Sequence, residues 1–251
     1  MKIDNSCPEI KINFFSFKNN FENFPIFKNL ETGFIHAWTF KISDFKDDSS
    51  FLIKLLDKED LKRASKFKNN LSDMLRFKIA RGALRLLCSN YYFVLPENII
   101  FSYNKNFKPS VISPRQKIFF NLSHSSDKVL IIFSDKKYTG ADIELLRNIK
   151  NIEKIACSYF HSEELYFLGS IPDPLKSYYF IKIWTLKESF VKALGQKVSK
   201  NIFTDFSVIT ENMADIYEKD EISLWYKNET NCRFLTFEIE NHYLAAGVFK
   251  D

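Results

Sequence analysis

Between Asp173 and Leu194 apolar residues recur every three or four positions. Leu175, Tyr179, Ile183, Leu186, Phe190 and Leu194 form one stripe, the spacing of a helix with one face on a core. Asp173 suits the N-cap, Pro174 the first helical position and Gly195 the stop. A second row, Trp184, Glu188 and Lys192, repeats at i, i+4, i+8 on another face. Alone, that row is a surface ion pair worth about 0.2–0.5 kcal/mol. The same period predicts a helix from about Asn70 to Tyr92, with Met74, Phe77, Ala80, Leu84, Leu87 and Tyr91 toward the core. Lys78, Arg81 and Arg85 line a different face, where solvated charge is the rule, and Arg76 points away from both. Shorter helices are predicted from Ser49-Ser50, from Asp57 to about Phe67, and over Asn151–Cys157 and Ser162–Leu168.

Alternation marks the strands. Phe34, His36, Trp38 and Phe40 begin the series, followed by Ile99–Tyr103, Lys117–Ser123, Lys128–Ser134 and Tyr138–Glu144. Asp135-Lys136-Lys137 predicts a hairpin between the last two. Ile202–Ile209, Glu221–Tyr226, Arg233–Glu238 and Tyr243–Phe249 close the chain, while residues 1–33 keep no period and are expected to be irregular. Helices and strands in this mixed order argue for an α+β fold with largely antiparallel sheets. The polar, proline-containing stretch Asn104–Arg115 is the best connection between halves. It divides the chain into an N-terminal lobe (1–107), a connection (108–116) and a C-terminal lobe (117–251) carrying the chemistry.

Composition changes little. The 251 residues can bury a sizeable core, and 45% apolar with 27% charged residues is ordinary for globular chains. The net charge of +5 is interspersed, which permits an anionic ligand. Without a basic run or an RNA-binding signature, nucleic acid is not expected as a partner. Cys7, Cys88, Cys157 and Cys232 form no CxxC pair and suit reduced thiols. No apolar run approaches the roughly 20 residues that span a bilayer, and MKIDNSCPEIK lacks a secretory apolar segment. The expectation is a cytoplasmic, monomeric protein with no membrane partner.

Candidate chemistry centres on two places. Asp142 and Glu144 have the same parity on a predicted strand, so both carboxylates project to one face. Such a pair is either a solvated edge or a cation site, and Glu188 would make it a three-carboxylate site. Oxygen-only ligands favour Mg²⁺, or Mn²⁺, over zinc, and Mg²⁺ favours phosphate-bearing ligands. Gly140 leaves room for a ligand or for another backbone. Lys192 lies one turn beyond Glu188, placed to meet negative charge. His124, between Ser123 and Ser125, could donate to phosphate or be satisfied locally. His36 and His242 sit in strand patterns, and His161 could cap a helix. No HExxH, GxSxG or glycine-rich phosphate loop offers a rival site.

Lys108-Pro109, then FNLSHS (Phe120–Ser125), GADIE (Gly140–Glu144) and WTLKESFVKALG (Trp184–Gly195) occur in an order that resembles the surfactin-type 4′-phosphopantetheinyl transferases over about half the chain. The resemblance implies two similar α/β lobes related by a pseudo-twofold, with coenzyme A between them. It implies Mg²⁺ on Asp142, Glu144 and Glu188, with Lys192 neutralising charge at the pyrophosphate. His124, with Ser123 beside it, would meet the 3′-phosphate, and Arg63, Arg76, Lys108 and Pro109 would hold the phosphoadenosine part. Glu164 in FHSEEL falls where the family places its general base, with Glu163 as the alternative one position away. Ser126 stands where the family often has Gly, and Ala141 where a larger aliphatic residue is usual.

The implied reaction moves the phosphopantetheine arm of coenzyme A to a serine of an acyl or peptidyl carrier protein and releases 3′,5′-ADP. Such carriers serve fatty acid, polyketide or nonribosomal peptide synthesis. Two other accounts of the same motifs are a noncatalytic coenzyme A or carrier-binding protein and a metal-dependent hydrolase of nucleotide diphosphates.

Overall fold

The computed structural model describes residues 11–16, 30, 32–45, 49–114, 117–209, 221–226, 230–240 and 242–250. Cys7 lies outside them; Cys88 and Cys157 are free thiols, and Cys232 is buried.

Strands β1 (Lys11–Ser16) and β2 (Phe34–Lys41) pair in parallel, so part of the 1–33 stretch expected to be irregular is a strand. Helices α1 (Ser50–Lys54), α2 (Lys58–Ala64) and α3 (Leu71–Tyr92) follow. The Asp57 side chain caps α2 by accepting from the Asp60 N–H, and Asn70 caps α3 by accepting from the Asp73 N–H. The predicted strand Ile99–Tyr103 is β3 (Ile100–Tyr103), and its antiparallel partner β4 (Pro109–Ser113) lies in the stretch expected to be only a connection. Next come β5 (Phe119–Ser125), β6 (Lys128–Ser134) and β7 (Tyr138–Leu145). Helices α4 (Ile152–Tyr159), α5 (Ser162–Ser170), α6 (Asp173–Ala193) and α7 (Lys200–Thr204) precede β8 (Glu221–Tyr226), β9 (Thr230–Ile239) and β10 (Tyr243–Lys250).

One sheet runs β1-β2-β6-β5, and the other, wholly antiparallel, runs β7-β10-β9-β8. The predicted β6–β7 hairpin does not form. β6 pairs with β2 on one side and β5 on the other, so it has no edge left for β7. Strands β5 and β6, placed by their pattern with the second lobe, thus complete the first sheet, and the chain passes to the second sheet through 135–137. The predicted strand Ile202–Ile209 is also corrected: the Ser199 side chain accepts from the Ile202 N–H and nucleates α7.

Strict alternation builds the layers. Trp38 and Phe40 of β2 with Val129, Ile131 and Phe133 of β6 face α3. Ile35, Ala37, Leu130 and Ile132 face the other way and meet Ala141, Ile143, Leu235 and Ala245 of the second sheet. The opposite face of that sheet packs on α6 through Leu244, Ala246 and Val248. The result is two sheets face to face with a long helix outside each. Among the described residues no helix is long and apolar enough to cross a membrane.

Helix α6 keeps the predicted boundaries, with Pro172 rather than Asp173 at the N-cap and Gly195 in the left-handed region at φ +65°. Tyr179, Ile183, Leu186 and Phe190 are buried as predicted, but Leu175 at the first turn is exposed. Arg81 and Arg85 are corrected from solvated to buried. Both bind the fully buried Asp60, whose carboxylate accepts from Arg81 Nε (3.1 Å) and Arg85 Nη2 (2.8 Å).

Candidate active site

Gly140 sets the geometry. A Cβ there would stand 2.0 Å from the Ser189 carbonyl oxygen and 2.5 Å from the Ala193 nitrogen, so its missing side chain lets α6 lie directly on β7. The space that glycine opens is filled by backbone, and this contact carries Glu188 and Lys192 over Asp142 and Glu144. On the other side, β5 crosses β7 through its polar parity: Asn121 Oδ1 accepts from the Ala141 N–H (2.9 Å), Ser123 Oγ donates to Asp142 Oδ1 (2.8 Å), and Ser125 Oγ donates to Glu144 Oε2 (2.9 Å). The alternation of Asn121, Ser123 and Ser125 was the signal in the sequence for this seam, and Asn121 and Ser125 are the members that motif reasoning missed.

Asp142 is buried. Its Oδ1 also accepts from Lys192 Nζ at 2.5 Å, while its buried Oδ2 has no hydrogen-bond partner. Burial raises the Asp142 pKa to about 7, against the Lys192 charge and with help from Glu188 and Glu144. Burial likewise raises that of Glu144; the Ser125 hydrogen bond opposes this and Glu188 adds to it. Glu188 accepts from Trp184 Nε1 (2.9 Å) and lies 3.4 Å from Lys192 Nζ, so the predicted row does share a face. Burial works against the Lys192 ammonium, but Asp142 and Glu188 outweigh it and raise its pKa. Three carboxylates and one ammonium thus share one space. Among the described residues no three His, Cys, Asp or Glu side chains are already gathered as a metal cluster; the Lys192 ammonium sits among the acids.

Beside this cluster a cavity of about 390 Å³ is lined by Arg63, Lys108, Pro109, His124 and Lys192 together with aromatic Tyr103 and Phe107. The Arg63 guanidinium lies 4.0 Å above the Tyr103 ring, and its Nε is buried without a partner. Packing around the His124 ring, then the charges of Arg76 and Lys192, lower its pKa. Arg76 itself is bound to Asp73 at 2.7 Å. Lys108 Nζ donates to the carbonyls of Thr139 (2.8 Å) and Ala193 (2.9 Å), tying β7 to the end of α6, and burial lowers its pKa to about 8.

A family model described as the 4′-phosphopantetheinyl transferase superfamily matches residues 138–246, which carry Asp142, Glu144, Glu188 and Lys192. Over 169 residues the chain is 31% identical to the 4′-phosphopantetheinyl transferase HetI of Nostoc sp., covering 66% of this chain and 70% of that protein. The chain belongs to the 4′-phosphopantetheinyl transferase superfamily. It is also 34% identical to AcpT of Escherichia coli K12 over 111 residues, covering 44% of this chain and 55% of that one. With the transferase gsp of Aneurinibacillus migulanus it shares 33% identity over 127 residues, 51% of each.

One residue of this transferase departs from the role implied by resemblance. Glu164 is fully buried as the N3 residue of α5, and its carboxylate accepts from Lys187 Nζ (2.7 Å), the Val208 N–H (2.8 Å) and the His161 N–H (2.9 Å). Lys187 is equally buried and also donates to the Phe206 carbonyl. Glu164 is therefore an internal strut joining α5, α6 and the 206–208 segment, because the capping box that starts α5 turns its side chain inward. Its neighbour Glu163 is exposed and lies 3.6 Å from His161.

Proposed function

We propose that this chain is a surfactin-type transferase that moves the 4′-phosphopantetheine arm of coenzyme A to a serine of an acyl or peptidyl carrier protein. Asp142, Glu144 and Glu188 would hold a divalent ion, Mg²⁺ or Mn²⁺. The residues fit that ion: the donors are all oxygen, and a buried Asp142 oxygen is left without a partner beside two further carboxylates. When bound, the ion would screen charge on the pyrophosphate. The observation that carries the reading is this cluster opening beside a cavity lined by Arg63, His124 and Lys192, a match for a ligand with both a pyrophosphate and a further phosphate.

In the transfer a bond forms between the serine oxygen and the β-phosphorus of coenzyme A. The bond from that phosphorus to the bridging oxygen breaks, and 3′,5′-ADP leaves with the electron pair. Lys192 offsets charge on the phosphates, and the cluster's rigid mounting on β7 and α6 keeps the reacting groups in line. The serine proton would pass to solvent water, because the Glu164 carboxylate is engaged in the core by Lys187, Val208 and His161.

The test is a mass measurement on carrier proteins incubated with this chain, coenzyme A and Mg²⁺. A gain of one phosphopantetheine per carrier, lost in Asp142→Ala and Glu188→Ala, is the expected result. Coenzyme A binding without mass gain across a panel of carriers would overturn it.

A further inference from the structure

We propose that Phe107 is a stacking platform for the base of the nucleotide ligand, so that a ligand carrying a base binds more tightly than one without. This rests on the transferase reading above and deepens it. Phe107 adopts φ +68°, a left-handed conformation that a bulky L residue avoids unless its surroundings impose it. They do so here. Asn104 Oδ1 accepts from the N–H groups of Asn106 (2.9 Å) and Lys108 (3.0 Å), and the Phe107 N–H donates to the Asn104 carbonyl (2.9 Å). The Asn104 and Asn106 side-chain amides both donate to the Gly195 carbonyl, at 2.8 and 2.9 Å, clamping the turn to the end of α6.

What this backbone presents is a ring that serves no core. Phe107 is 50% exposed yet lines the 390 Å³ cavity. Three cations surround it: Arg63 at 5.3 Å, Lys66 at 5.4 Å and Lys197 at 5.3 Å from the ring centroid. They come from α2, from the turn after it and from the segment after α6, so the ring gathers charge from both ends of the site. A flat apolar face ringed by cations suits a phosphorylated nucleoside: the base covers the ring, and the phosphates meet the cations.

The test uses the full chain with Phe107→Gly and Phe107→Trp. Inhibition constants are measured for 3′,5′-ADP, which carries the base, and for 4′-phosphopantetheine, which does not, alongside the coenzyme A KM and thermal melting. Glycine accepts the left-handed turn, so Phe107→Gly is expected to melt no lower than the native chain. It should nevertheless bind coenzyme A and 3′,5′-ADP about tenfold more weakly and 4′-phosphopantetheine unchanged; Phe107→Trp should restore tight binding. Native-like 3′,5′-ADP binding by Phe107→Gly would overturn the proposal, as would equal losses for both ligands, which would mean that the ring only organises cations. If the native chain itself bound no coenzyme A, the transferase reading would fall first, a result distinct from either.

Discussion

Gly140 shows how one missing side chain can place a site. Gly140→Ala would drive a methyl group into the Ser189 carbonyl, which is helix backbone and cannot rotate away. α6 would have to move off β7, at a cost of about 1–3 kcal/mol. The expected outcome is a lower melting temperature together with weaker divalent-ion binding, checked by calorimetry on one preparation. His36 makes a second residue-scale prediction. Burial lowers its pKa to about 4, while its Nδ1 lies 2.5 Å from the Tyr91 hydroxyl. The unfolded chain binds this proton near pH 6.5, so the stabilisation from a neutral His36 is complete above that value and declines as pH falls toward 4. Between pH 7 and pH 5 the native chain should lose about 1–2 kcal/mol by urea titration that His36→Gln does not lose. The sequence placed His36 correctly in a strand, but nothing in its neighbours showed that the ring would be sealed in. The same limit applied to Arg81 and Arg85, whose burial depends on Asp57 and Asp60 from another helix.

At the scale of elements, α5 and α6 are joined by the buried pair Glu164–Lys187. Glu164→Ala strands the Lys187 ammonium in the core and should cost about 3–5 kcal/mol. Replacing both, as Glu164→Leu with Lys187→Met, should cost clearly less than Glu164→Ala alone, because no charge is left unpaired. Denaturant midpoints of the two proteins check this. A Glu164→Gln protein with native stability and no transfer activity would instead return Glu164 to the role of base. α6 was legible in the sequence because its caps and apolar period agree, and the row Trp184, Glu188, Lys192 followed from helix geometry alone. The pairing of β6 was not legible, since a short polar turn looks the same whether it closes a hairpin or carries the chain to another sheet. The strand pattern at 202–209 misled for a similar reason: one capping serine outweighed a brief apolar alternation.

For the molecule as a whole, the two sheets press their smaller side chains together and leave the site where β5 crosses β7 under α6. Acidic groups come from the second sheet and its helix, and cationic and aromatic groups come largely from the first half of the chain. That division explains why the carboxylates and the basic part of the cavity wall were visible as motifs and its aromatic part was not: Phe107 lies in a turn whose composition resembles a linker, and Tyr103 in a strand whose pattern carries no chemistry. The site would therefore stand on the convergence of Asp142, Glu144 and Glu188 on one divalent ion. Titration of Mn²⁺ into the full chain with coenzyme A present, followed by electron paramagnetic resonance, measures it directly. One bound ion per chain, lost in Asp142→Asn and in Glu188→Gln while both variants keep native circular dichroism, is the predicted result; undiminished binding in those variants would contradict it.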